Sequence, residues 1–213
     1  MDFVPDLITI LQFAVAVFVL AVTPGPDMTL FVSRALSQGR GAGFACMLGA
    51  MTGIVIHATL VAVGLSALLV ASPKIFWLLK IFGAVYLVWL AYQAIRYGSA
   101  FNPELKASKQ ASLFRNWLTG LGIDLLNPKI VIFFMTFLPQ FVSASDPHAP
   151  GKLFFLGVLF IPLSLPVTVP IVIAADKFAG ILQKNPRVTR VVDYLFAGVF
   201  SAFALKILTA QAR

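Results

Sequence analysis

Four side chains set in apolar surroundings carry the chemistry of this chain: Asp27, His57, Asp124 and Lys129. A charge near the middle of a bilayer costs about 2.5–3.5 kcal/mol on insertion scales, so each one inside an apolar stretch requires a reason. Asp27 follows Pro24-Gly25-Pro26, and Lys129 follows Asn127-Pro128. Both runs break a helix at membrane depth, where freed backbone is tolerated only if protein covers it or a polar cavity receives it. Paired interruptions in corresponding segments of two halves point to a transporter's binding site. Pro24, Gly25, Pro26 and Pro128 are therefore read as holding the backbone open around one shared cavity.

Lys129 stands at the start of the second half of a broken helix, where free N–H groups and the positive end of the helix dipole converge. With its ammonium added, and with Asn127 beside it in the break, the place suits an anion such as the carboxylate of a small metabolite. A buried ion pair with Asp124 or Asp27 that merely ties the halves together is the competing explanation. Asp27 has an ordinary explanation as a helix cap. Together with Asp124 it is also a candidate for a substrate ammonium or a coupling proton, because a poorly solvated carboxylate holds its proton more tightly. His57 falls mid-stretch; a satisfied hydrogen bond explains most such histidines, and contact with substrate or proton is the alternative. Lys80 and Lys206 lie near helix ends and can snorkel. Asp176, Lys177 and Asp193 lie near a boundary where water is available.

The elements that must position these groups are spanning helices. The 213 residues are 60% hydrophobic and 11% charged, with a mean hydropathy of +0.94. Six stretches reach the roughly 20 apolar residues that a spanning helix needs: about 6–35, 43–71, 74–96, 114–142, 152–175 and 190–210. Asp2 and Asp6, with no basic residue before the first apolar run, argue against a cleaved signal peptide, so the first span is expected to be retained. Cys46 is the single cysteine, which excludes an internal disulfide, and it is read as a small packing residue.

The net charge of +8 reflects topology rather than a nucleic-acid partner. Loops after the first, third and fifth stretches hold Arg34, Arg40, Arg96, Lys106, Lys109, Arg115, Lys177, Lys184, Arg187 and Arg190, against Lys74, Lys152 and Arg213 on the opposite side. That asymmetry places those loops in the cytoplasm and both termini outside. Contact with anionic lipid is the remaining use for the basic excess.

A polar segment, about 98–112, divides one transmembrane domain of residues 1–213 into a first half, about 1–97, and a second, about 113–213. Three spans in each half make the second enter the membrane from the opposite side, so the expected fold is all-α, two inverted three-helix repeats with the first and fourth helices broken. Each half also closes on a Gly-and-aromatic helix, around Gly83 and around Gly198. Gly41, Ala45, Gly49 and Gly53, four apart, form a small-residue stripe for close helix packing. Pro162, Pro166 and Pro170 at the same spacing predict a bent fifth span, either a fixed kink or a hinge.

Enzyme chemistry finds no motif. His-Glu-x-x-His and Gly-x-Ser-x-Gly are absent, and with two histidines, one of them the loop residue His148, a zinc site lacks ligands. Nothing calls for a cofactor.

These residues also resemble a known family, the lysine exporter superfamily, and within it the homoserine/threonine resistance branch of amino-acid exporters. The likeness runs over nearly the whole chain. Its carriers are Thr23-Pro24-Gly25-Pro26; Gly49-Ala50-Met51-Thr52-Gly53-Ile54-Val55-Ile56-His57; Leu79-Lys80-Ile81-Phe82-Gly83-Ala84-Val85-Tyr86-Leu87-Val88-Trp89-Leu90; Leu126-Asn127-Pro128-Lys129; and Phe137-Leu138-Pro139-Gln140-Phe141. The resemblance implies six transmembrane helices in a bacterial inner membrane, descent from a duplicated three-helix unit, and proton-driven export of amino acids or close derivatives. Two departures stand out. Asp124 replaces the Asn of many relatives, and the run Ile161 to Thr168 lacks the acid that many of them carry in the fifth span.

The resulting expectation is an exporter, not an enzyme. Lys129 and the N–H groups after both breaks hold a substrate carboxylate; Asp124 or Asp27 holds the ammonium or the coupling proton. The first alternative is another solute, such as a divalent metal cation, for which Asp27, Asp124 and His57 are a thin ligand set beside a repelling Lys129; the second is a non-transporting membrane enzyme, which no motif requires. The partners expected are an amino acid, protons and the lipid bilayer, with a homodimer as one possible assembly.

Overall fold

A computed structural model describes residues 3–65, 110–143 and 146–210, and between 66 and 109 only positions 78, 81–82, 84–85, 88–89, 91–92 and 95–96. Among the described residues every regular element is helical. Most of the third apolar stretch, including Lys80 and Gly83, and nearly all of the expected 98–112 linker lie outside them.

The first stretch folds as α1 (Leu7–Val22) and α2 (Pro26–Gln38), bent by 51° at the break. The Asp6 side chain caps α1 by accepting from the Thr9 N–H at 2.9 Å. Thr23 ends it in an extended conformation, φ −70° and ψ 119°, as a residue before proline prefers. Pro26 then opens α2 at its first position, where a missing N–H costs nothing. At the far end of α2, Gly39 has φ +90°, in the region that favours glycine, and turns the chain directly into α3 (Arg40–Leu60). A π-helical turn, Val61–Leu65, continues α3.

The fourth stretch repeats this construction. Helix α4 (Leu113–Leu126) ends at Asn127, with φ −71° and ψ 109°. Pro128 opens α5 (Pro128–Ile132), which continues through a π turn, Phe133–Phe137, and a 3-10 turn, Leu138–Phe141. The bend between the two halves is 52°. A loop follows in which Asp146 accepts from the His148 N–H at 2.8 Å and from Lys152 at 2.6 Å. The Lys152 hydrogen bond is the main reason the Asp146 carboxyl stays below the usual carboxylate range.

Helix α6 (Ala149–Ile173) covers the fifth stretch, and α7 (Ala175–Lys184) and α8 (Pro186–Ala210) complete the chain. Pro162, Pro166 and Pro170 all lie inside α6, which is continuous through the three of them. Ser164 and Thr168 bond back to carbonyls of their own helix, Ile161 at 2.9 Å and Ser164 at 3.1 Å. Asp193, expected in water, is buried instead.

By length and composition, α3 with its π turn and α6 can each cross a membrane, and each bent pair can form one more span, giving up to four among the described residues. Helix α3 is the hub, packed against α2, α4 and α6. Its contact with α4 is close because glycines face backbone from both sides. A Cβ on Gly49 would overlap the Trp117 carbonyl oxygen, and one on Gly120 would overlap that of Cys46. Of the four small residues spaced four apart, Gly49 is the one that lies against backbone in this seam, and Trp117 Nε1 adds a hydrogen bond to Thr52 Oγ1 at 3.3 Å across it. Two apolar clusters flank the breaks. One is aromatic, with Phe13, Phe133, Phe134, Phe137 and Phe160; the other gathers Met28, Phe31, Met47, Ile171 and Val172. Ala84 of the third stretch packs on Ala204 of α8.

Candidate functional site

The two breaks meet and brace each other. Lys129, second residue of α5, sends its ammonium to the broken end of α1, donating to the carbonyls of Leu20 at 3.2 Å and Thr23 at 3.0 Å. Those are the carbonyls that a helix C-terminus leaves unpaired, at the negative end of its dipole. Asp27, second residue of α2, reaches the other break in return: its Oδ2 accepts from Asn127 Nδ2 at 2.6 Å. Asn127 also caps α5, its Oδ1 accepting from the Lys129 N–H at 3.0 Å. In each half, then, the residue after the initiating proline reaches across to the break of the other half.

This geometry settles two expectations. Lys129 forms no direct ion pair with Asp27 or Asp124; backbone carbonyls hold it. Asp27 does not cap α2 either, since Gly25 is the cap residue and supplies no side chain, which leaves the carboxylate free to reach Asn127. Gly25 is extended, with φ −164°, so its backbone would suit any residue. What it supplies is room: a Cβ there would lie 3.0 Å from Lys129 Nζ.

Both charges retain capacity. An ammonium has three donors, and two of those on Lys129 are used among the described residues. Asp27 Oδ1 is buried and accepts no hydrogen bond from the described residues. Both side chains line one cavity of about 70 Å³. Its other walls come from α1 at Leu20 and Thr23, from α2 and α3 through Phe31, Met51 and Ile54, and from α6. The polar contribution of α6, Ser164 and Thr168, was passed over in a sequence read for charge alone; their four-residue spacing, which puts both hydroxyls near one helix face, was the available signal.

Asp124 also lines the cavity, whereas His57 stands behind it. His57 Nε2 lies 3.6 Å from Asp124 Oδ2 and 3.5 Å from the Asp124 carbonyl oxygen. Its ring packs 5.6 Å from that of Phe134. Gly53, one turn before His57, clears the space that the Asp124 carboxylate fills. Among the described residues no three His, Cys, Asp or Glu side chains gather as metal ligands.

Comparison with known proteins places this architecture. Residues 18–211 match the model of the LysE type translocator family. A protein of Vibrio cholerae serotype O1, named only as an uncharacterized membrane protein, is 28% identical over 209 residues, 97% of this chain and 100% of its own. The homoserine/homoserine lactone efflux protein of Salmonella typhimurium is 29% identical over 192 residues, 90% of this chain and 92% of its own. No solved structure matches the chain. A family match over nearly all of a chain built from apolar, centrally broken helices makes the protein a multi-pass membrane transporter, not an enzyme, and a member of the LysE type translocator family.

Proposed function

We propose that this protein exports amino acids or close derivatives across the bacterial cytoplasmic membrane, in exchange for protons. The observation that carries the reading is the pair of unspent valences in one cavity: a free donor on Lys129 and a free acceptor on Asp27, at helix breaks facing each other. A zwitterion is the complement of that pair. Its carboxylate would meet Lys129 and the N–H groups opening α2 and α5, and its ammonium would meet Asp27 and the carbonyls ending α1. Asn127 holds both partners in register. The efflux relatives support the direction of transport and the class of solute.

Near-equal bends at the two breaks, proline opening the second half of each broken helix, and the reciprocal bracing all support two inverted three-helix repeats, with the third stretch and α8 closing the halves. The loop charges support termini on the outer side. Transport would follow from rocking one half against the other about the braced breaks.

The test is uptake of a panel of labelled amino acids into inside-out vesicles, where export reads as accumulation, with and without an imposed pH gradient. Gradient-dependent accumulation of one or a few amino acids, abolished in Lys129→Ala that still inserts in the membrane, is the expected result. Normal efflux by that variant would remove Lys129 from the site, and no accumulation of any amino acid by folded protein would refute the substrate class.

A further inference from the structure

Asp124 and His57 form a second polar group, behind the substrate pair and unlike it. Asp124 is 2% exposed and His57 8%, and Asp124 Oδ2 is buried without a hydrogen bond while His57 Nε2 waits 3.6 Å away. The approach is built into the seam between α3 and α4: only a glycine at position 53 leaves room for this carboxylate, and Phe134 backs the imidazole. Of the charged or titratable groups around Asp124, His57 of α3 lies beside it, and Asp27 of α2 and Lys129 of α5 line the same cavity. Helices α1 and α6 add none to the cavity wall.

A charge count then separates the roles. Lys129 and Asp27 balance each other within the cavity. A carboxylate at Asp124 would add an uncompensated buried negative charge, which is strongly unfavourable. One proton shared between Asp124 and His57 restores neutrality.

We infer that the Asp124–His57 pair carries the coupling proton of the transport cycle, at a place distinct from the Asp27–Lys129 pair that holds the substrate. This rests on the exporter reading above. A proton from the outer side joins the pair when the cavity opens outward and leaves to the cytoplasm when it opens inward, while the substrate moves the other way.

The experiment uses the full chain in liposomes, with three readouts: accumulation driven by a pH gradient, exchange of the same labelled amino acid without a gradient, and the infrared band of a protonated carboxyl. Asp124→Asn is expected to lose gradient-driven accumulation and the band while exchange persists. His57→Gln is expected to keep the carboxyl but displace the pH profile of accumulation. Accumulation surviving in Asp124→Asn, exchange lost together with accumulation, or a pH profile unmoved by His57→Gln would overturn the inference. Should Asp124→Asn not fold, the histidine variant and the wild-type band decide, and a wild-type protein without the band refutes the proton site. A wild-type protein that shows the band yet moves no amino acid refutes the exporter reading and leaves the proton pair standing.

Discussion

Lys129→Met removes the ammonium at the centre of the site while keeping most of the stem that packs on Gly25. Two effects on stability oppose each other. The variant gives up two hydrogen bonds from a charged donor, to Leu20 and Thr23, worth about 1.5–3 kcal/mol each. It also removes the cost of burying a charge, several kcal/mol even after relaxation. The two terms are of similar size, and the charge left unbalanced on Asp27 can be neutralised by a proton, so the folded protein should persist with a net change of no more than about 3 kcal/mol. Transport has no such compensation. If the remaining donor of Lys129 meets the substrate carboxylate, its loss removes a charge-assisted contact of about 1.5–3 kcal/mol, which is roughly a 10- to 150-fold weaker apparent affinity. The assay is initial uptake rate against substrate concentration in inside-out vesicles, normalised to folded protein by gel filtration in detergent. A folded variant with unchanged half-saturation and unchanged rate would refute the argument, because it would make Lys129 a brace for α1 and nothing more.

Asp27→Asn keeps an oxygen for Asn127 to donate to and removes only the negative charge, so folding should be unaffected while substrates bearing a free ammonium bind roughly tenfold or more weakly. Competition by an amino acid and by its N-acetyl derivative checks this, since the variant should lose its preference for the former. Gly49→Val places branched carbon where the Trp117 carbonyl sits; because backbone cannot rotate away, α3 and α4 must separate at a cost at or above the about 1–3 kcal/mol typical of overpacking. Thermal unfolding in detergent should fall by several degrees, and an unchanged midpoint would mean that the seam yields more easily than its geometry implies.

Much of the site was legible because proline speaks locally. Pro26 and Pro128 break their helices wherever they stand, and Asp27 and Lys129 follow them in the chain, so no tertiary information was needed to place opposite charges at two breaks. The small-residue stripe was legible for a similar reason: Gly49 and Gly53 recur at helical spacing in a stretch with little else to distinguish it. The partners of those charges were not legible. Capping looked the simplest use of Asp27, yet it reaches a residue one hundred positions away, and Lys129 is held by backbone carbonyls that no side-chain pattern announces. Helix α6 makes the converse point: a proline removes only one donor from a helix, so three of them inside the fifth stretch leave the element continuous from Ala149 to Ile173.

By itself the sequence determined a membrane protein of broken apolar helices, with charges at both breaks, since hydropathy, proline and charge act over a few residues and require no fold to be read. Only the tertiary structure decided which of those charges share a cavity, that His57 stands behind Asp124 rather than in the cavity wall, and that Lys129 keeps one donor and Asp27 one acceptor unspent. Those facts depend on how α3 and α4 close over their glycines, a contact between segments some seventy residues apart, and distance in the chain carries no record of it.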